Sequence, residues 1–334
     1  MKFHFSFDIK KPAQQITHTQ KLLLIGSCFT ENIGEKLHKH KFSLLENPNG
    51  ILFNPVSVAE ALHQYIDKKH FQEQDLFECN EAWHSWKHHS RFSGITAAEN
   101  IEKINKATDR AHNYLKMADQ LMVTLGSAWV YTLTAEAPNA VPGSVAANNH
   151  KAPASWFSRR LLEAGEVIAL FDALLTKLKA VNPSLQVIFT ISPVRHLREG
   201  VIENNRSKAV LIQAVHTLVE KHETAYYFPA YELVIDDLRD YRFYADDLVH
   251  PNYQATQYVW EKFTAACMTE ETLLLMKEIA EINIAFQHKP FNQSSEAHRR
   301  FLGKYRDKVE RLQEKHPYLS FAEERNYFAG ASPQ

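Results

Sequence analysis

Short apolar runs alternate with longer segments of helical period along most of this 334-residue chain, and that alternation constrains its fold more than any other feature. Leu22-Leu23-Leu24-Ile25 runs into Gly26 and is followed by a stretch with Ile33 and Leu37 on one helical face, the pattern of strand, turn and helix. Phe42 to Leu45 reads as a further strand, followed by the turn-rich Asn47-Pro48-Asn49-Gly50 and a helix carrying Val58, Leu62 and Ile66. Ile101, Ile104, Ala111 and Leu115 mark a helix, and Leu121 to Leu125 a buried strand ending at Gly126. A loop over 135–153, rich in Pro, Gly and Asn, leads into a long amphipathic helix with Leu161, Ile168, Phe171, Leu175 and Leu178. Val187 to Ile191, Ala209 to Val219 and Ala225 to Phe228 then read as strand, helix and strand. Apolar strands separated by helices require crossover connections and a parallel sheet covered on both faces. The expectation is a three-layer, doubly wound α/β domain.

Two regions depart from this rhythm. Over 67–95, Trp83, His84, Trp86, His88 and His89 sit among polar residues without clear period, which suggests an inserted loop or small hairpin. It would form either a pocket lid or an aromatic minicore tying the insertion to the sheet. Beyond about residue 253 the chain reads helical, and the charged segment Glu296 to Lys315 reads as a tail helix, an add-on or an oligomer contact. We therefore expect a domain over 1–285, with the insertion at 67–95, and a helical extension over 286–334. Asp236-Asp237-Leu238-Arg239-Asp240 reads as a solvated helix end.

Composition narrows the function. With 38 Lys and Arg against 39 Asp and Glu, and no extended basic stripe, the chain lacks the electrostatic term behind non-specific nucleic-acid binding, so no nucleic-acid partner is expected. No apolar run approaches the length of a membrane span, and MKFHFSFDIKK carries no apolar signal segment, so a cytoplasmic protein without a membrane partner is expected. Cys28, Cys79 and Cys267 form no C-x-x-C pair. No carboxylate or cysteine recurs at ligand spacing around His88, His89 and His150, so no metal is expected.

Ligands of open parallel sheets bind beyond the carboxyl ends of the strands. There the sequence offers Gly26-Ser27-Cys28-Phe29-Thr30, Asn49-Gly50, Gly126-Ser127, Ser192-Pro193-Val194-Arg195-His196 and, late in the chain, Asp246-Asp247-Leu248-Val249-His250-Pro251. A thiol, hydroxyls, backbone amides, a carboxylate and imidazoles are the parts of an acyl-transfer site. A cysteine at a strand-to-helix turn also lies at the positive end of a helix dipole, which favours the thiolate. His250 would hold or receive the proton and Asp247 fix its tautomer. Gly50, lacking a Cβ, would let a substrate approach its amide, which with that of Cys28 would form the oxyanion site. Arg195 and His196 would contact a substrate carboxylate or phosphate, unless Arg195 makes a surface ion pair.

The segments GSCFT, NPNG, TLGSAWVY, ISPVRHLREG, FPAYE and LRDYRFYADDLVHP resemble those of the GSCFA family, which is similar in architecture to the SGNH/GDSL hydrolases. The resemblance implies a flavodoxin-like sheet, ester-hydrolase or acyltransferase chemistry on a small-molecule or carbohydrate ester, a nucleophile after the first strand, and a late D-x-x-H. The hydrolase pattern G-D-S falls on Gly26-Ser27-Cys28, so Cys28 takes the nucleophile position, with Ser27 as its rival and otherwise a helix cap. The pattern G-x-N falls on Gly126-Ser127-Ala128 and lacks its Asn, for which Asn148 and His89 are the candidate replacements as oxyanion donors. No cofactor is needed if water accepts the acyl group, whereas a transferase implies an acyl-CoA donor. The alternative is a non-catalytic binding protein of the same fold.

Overall fold

A computed structural model describes residues 5–330. Its main sheet contains five parallel strands, β1 (Lys21–Gly26), β2 (Ser43–Glu46), β5 (Gln120–Leu125), β9 (Gln186–Ile191) and β10 (Ala225–Phe228), in the order β2-β1-β5-β9-β10. This is the flavodoxin-like order, with its reversal between β1 and β5. Side chains along each strand point alternately to two cores. Leu23, Ile25, Leu121, Val123, Val187 and Phe189 pack against α2 (Pro55–Asp67), α3 (Ala97–Leu115), α4 (Ala164–Val181) and α5 (Val201–Lys221). Leu22, Leu24, Met122 and Ile188 face α1 (Cys28–Lys39) and α7 (Tyr253–Cys267). Burial on both faces explains why the strands read as continuous apolar runs.

Two smaller sheets stand apart from the main one. The insertion forms an antiparallel hairpin, β3 (Leu76–Cys79) with β4 (Ala82–Ser85). After β5 the chain makes a second antiparallel sheet from β6 (Trp129–Leu133), β7 (Val145–Ala146) and β8 (Phe157–Leu161), in the order β7-β6-β8. The 135–153 segment is therefore a connection inside a sheet, and Leu161 ends a strand where the helical pattern had claimed it. The helix starts at Ala164, after Glu163 and Glu166 form a capping box. Trp86 stacks on Phe77 at 3.6 Å and packs edge-on against Trp156 and Phe157. The hairpin is thus held to the second sheet by an aromatic minicore, the second of the two expected roles.

A short helical stretch, α6 (Ala230–Glu232), continues into a π-helical turn over Leu233–Leu238. Asp237, expected in solvent, is 2% exposed there and accepts a hydrogen bond from the Tyr258 hydroxyl at 2.6 Å. Helices α8 (Glu270–Phe286), α9 (Glu296–Lys315) and α10 (Ala322–Phe328) form the C-terminal helical layer around Ile279, Ile282, Val309 and Leu312. At the other end of the sequence, the Ile16 N–H donates to Cys267 O at 2.7 Å and Ile16 O accepts from the Thr269 N–H at 3.1 Å. Gln15 adds bonds to the carbonyls of Ala266 and Met268. Among the described residues, no helix is long and apolar enough to cross a membrane.

Candidate functional site

The end of β1 fixes the first part of the site. Gly26 lies at φ +146°, and a Cβ there would stand 2.2 Å from Thr124 O, so only glycine lets β1 lie this close to β5. Ser27 follows as the N-cap of α1, 1% exposed, its hydroxyl accepting from the Phe29 N–H at 3.3 Å. Cys28 opens the helix and is partly buried. Its own N–H has no acceptor among the described residues, as befits a first-turn amide.

The thiol does not behave as its helix position alone implies. Burial, reinforced by the carboxylate of Glu31 one turn on, pushes Cys28 up from the ordinary thiol range. The amides of Cys28 and Phe29 and the ammonium of Lys208 pull the other way and do not prevail. The expected easy thiolate is therefore corrected, because desolvation outweighs the local dipole.

The turn after β2 is strapped to the end of β1. Gly26 N–H donates to Asn47 Oδ1 at 2.9 Å, and Leu52 N–H to Gly26 O at 2.9 Å. Asn49 is held inside by the Tyr65 hydroxyl at 2.8 Å and by Gln64 at 3.0 Å. Gly50 sits at φ +77°, and its N–H donates to Asn47 O at 2.7 Å. That amide is spent on the turn and is not a free oxyanion donor. What needs the missing Cβ is His89, whose own Cβ would lie 2.3 Å from one on Gly50. His89 accepts from the Arg91 N–H through Nδ1 at 3.2 Å, and Arg91 pairs with Glu31.

Past β5, the N–H groups of Gly126 and Ser127 both donate to Phe53 O, at 2.8 and 3.1 Å, and that of Ala128 to the Ser207 hydroxyl at 2.7 Å. A cavity of about 310 Å³ opens here, lined among others by Ser127, Trp129, Tyr131, Asn148, His196 and Glu199. Asn148 Oδ1 accepts from the His150 N–H at 2.8 Å. Burial, with Lys208 and His250 nearby, lowers His196 to about 4, so its ring is neutral at pH 7. Its Nε2 is buried without a partner. Asn148 and His196 thus share a cavity, while His89 and Gly50 pack on each other.

Asp247 and His250 meet in one tight turn. Asp247 Oδ1 accepts from the N–H groups of Val249 and His250 at 2.9 and 3.0 Å, and His250 Nδ1 lies 2.6 Å from Asp247 Oδ2. Those bonds to His250 and Val249 hold the Asp247 carboxyl down at about 2. An ionised carboxylate can only accept, so Nδ1 carries a proton, and in the neutral ring Nε2 is then the nitrogen with the free lone pair. Both side chains are about half exposed. Arg195, expected on a substrate anion or in an ion pair, instead clamps this turn: its guanidinium lies 4.2 Å from the Tyr244 ring centre and donates to Leu248 O at 3.3 Å, and its N–H donates to Val249 O. Among the described residues, no hydrogen bond joins Cys28 to His250.

Sequence reading missed the residues that join these parts. Asn204, Ser207 and Lys208 lie in the first turns of α5, all buried. Asn204 Oδ1 accepts from the His196 N–H at 2.9 Å. Lys208 Nζ donates to the carbonyls of Gly126 and Ser192, both at 2.6 Å. The signal was present, since the apolar face Leu211, Ala214, Val215 and Leu218 extrapolates backward to 207/208 and 204 at helical spacing.

Solved structures similar to this chain are distant. A carbohydrate esterase family 3 protein from Talaromyces cellulolyticus is 11% identical with a TM-score of 0.35, covering 78% of this chain and 99% of its own. An acetyl xylan esterase from the rumen bacterium Butyrivibrio proteoclasticus is 12% identical with a TM-score of 0.38, covering 75% and 64%. A Clostridium thermocellum family 3 carbohydrate esterase is 9% identical with a TM-score of 0.33. Among curated proteins, none matches this sequence. The pattern of the GSCFA family matches residues 21–263, and that of the GSCFA domain protein C-terminal domain matches 279–330. By that match over most of its length, the chain belongs to the GSCFA family.

Proposed function

We propose that the chain hydrolyses an ester or thioester through Cys28, with His250 as proton acceptor and Asp247 as the carboxylate that orients it. The observation carrying this reading is the 2.6 Å Asp247–His250 contact, which leaves Nε2 as a base. The Cys28 proton passes to Nε2 and the sulfur attacks the carbonyl carbon. The alcohol or thiol leaves with that proton, and water, deprotonated by His250, releases the acid from the thioester on Cys28. Oxyanion contacts come from the Cys28 N–H and from the cavity that holds Asn148 and His196. The raised thiol fits a nucleophile that ionises only as its proton is taken. Water as acceptor requires no cofactor; an acyltransferase would draw on an acyl-CoA donor. The substrate class is a small-molecule or carbohydrate ester.

A second reading, a ligand-binding protein, is favoured by the amides of Gly50, Gly126, Ser127 and Ala128, all engaged within the protein. Turnover of a panel of chromogenic esters and thioesters by wild type and Cys28→Ala separates the two. Catalysis through Cys28 requires a loss of about 1,000-fold or more in the variant. Turnover absent in both favours the binding reading, whereas turnover equal in both moves the nucleophile from Cys28 to its rival Ser27.

A further inference from the structure

Two adjoining cavities of about 310 and 340 Å³ share Tyr131, Asn149, Lys151 and Arg198 in their walls. The first begins at Ser127 and His196, beyond the ends of β5 and β9, and the second runs out over Phe157 and Arg159 of β8. The inner end lies beside the Asp247–His250 turn, because the N–H of Arg195 donates to Val249 O at 3.2 Å. The charge on this wall follows from strand register. Tyr131 and Arg159 are paired across β6 and β8, so their side chains share one face of the second sheet, and Trp129, two residues before Tyr131, shares it too. The Arg159 guanidinium lies 4.8 Å from the Trp129 ring centre. Its neighbour Arg160 belongs to the other face and is paired with Glu166 at 2.8 Å. Arg159 has no such match, since Glu199 is 3.7 Å away and already accepts from the Tyr131 hydroxyl at 2.7 Å. Arg198 lies 5.1 Å from the Tyr131 ring centre, and neither it nor Lys151 has a carboxylate partner among the described residues. Lys151 is held at the wall by an uncommon backbone: His150 and Lys151 sit at φ +50° and +57°, a region few side chains adopt, and His150 is pinned by the contact of Nε2 with Ser85 O at 2.9 Å. Burial lowers the imidazoles of His150 and His196 to about 4, so neither adds charge at pH 7. Among the described residues of the wall, three cations thus stand against the single carboxylate of Glu199.

We propose that this wall is an anion-recognising subsite, in which Lys151, Arg159 and Arg198 take the carboxylate or phosphate of a ligand whose other end lies toward Ser127 and His196. An arginine over an aromatic ring is fixed in place while its N–H groups stay free to donate to an oxyanion. The aromatic floor of Trp129 and Tyr131 covers the apolar body of the same ligand. As a selector of acidic esters the subsite rests on the hydrolase reading, whereas its preference for anions stands without it.

The test compares the binding of two anions, glutarate and inorganic phosphate, and of neutral glutaramide to the wild-type chain, followed by saturation-transfer NMR at low salt. At least one anion should bind about tenfold or more tightly than glutaramide, as charge-assisted contacts require. The preference should shrink as salt is added. Lys151→Gln combined with Arg198→Gln, both at exposed positions, should remove most of it with the urea midpoint unchanged. Glu199→Gln, which takes the carboxylate from the wall, should increase it. Glutarate in the lead assigns a carboxylate and phosphate in the lead a phosphate, either in support. Equal binding of glutaramide and both anions overturns the proposal, as does an anion preference unmoved in the double variant. In turnover, the p-nitrophenyl hemiester of glutarate should show a lower KM than its neutral methyl ester with wild type and lose that advantage with the double variant. Failure to hydrolyse either ester, with the anion preference intact, would remove the hydrolytic reading alone and leave the subsite standing.

Discussion

The two flanks of the candidate site are built on opposite principles. On the α5 flank, Asn204, Ser207 and Lys208 are buried and each is bonded to a backbone group in the segments that follow β5 or β9. On the other flank, Asp247 and His250 stand half in water, and the turn carrying them is held by Asp247's own bonds and by Arg195 on Tyr244. A buried polar group left unpaired costs about 1–3 kcal/mol, whereas an exposed pair typically contributes less than about 1 kcal/mol. The first flank should therefore hold stability, and the second should hold chemistry at little cost to the fold.

The sharpest way to break this contrast is to remove the imidazole. His250→Ala should lower esterase turnover by about 100- to 10,000-fold while leaving the urea midpoint in place. Equal loss of both would make His250 a structural residue. On the buried flank, the lowered value of His196 gives a pH signature. A histidine held below its unfolded value stabilises the fold fully above about pH 6.5, and that stability drains away as the pH falls toward 4, on the order of 3 kcal/mol. Urea unfolding at pH 7 and pH 4 should show that loss in wild type and a smaller one in His196→Gln. Ser207→Ala, which orphans the Ala128 N–H, should cost about 1–3 kcal/mol, against less than about 0.5 for Asp247→Ala. Reversed ranks in chemical denaturation would dissolve the contrast. Ser27→Ala should cost about 1 kcal/mol from a lost helix cap, with turnover largely kept.

What could be read from the chain follows the range of the interactions involved. Strands such as Leu22-Leu23-Leu24-Ile25 announce themselves because burial on both faces leaves an uninterrupted apolar run. The β6–β8 sheet did not, because its outer strand Phe-Ser-Arg-Arg-Leu is polar on exposed faces and short. The first turns of α5 read as loop since their buried face is polar, and only the backward extension of the apolar stripe reveals Lys208. Gly50 was legible as a required glycine, but the neighbour requiring it lies about 40 residues away in His89. The direction of the Cys28 shift was misread for the same reason: a helix dipole is local and visible in sequence, while desolvation depends on everything packed around it.

The ladder between Ile16 and residues 267–269 also has a consequence in time. The partner of this early segment leaves the ribosome about 250 residues later, a delay of roughly 13–50 s at ~5–20 residues per second. Throughout that interval Leu22 and Leu24 of β1 lack the α7 face that covers them in the finished domain. The nascent chain must therefore carry an open apolar layer until synthesis passes α7, which makes this stretch of translation the period in which a holdase chaperone has most to shield.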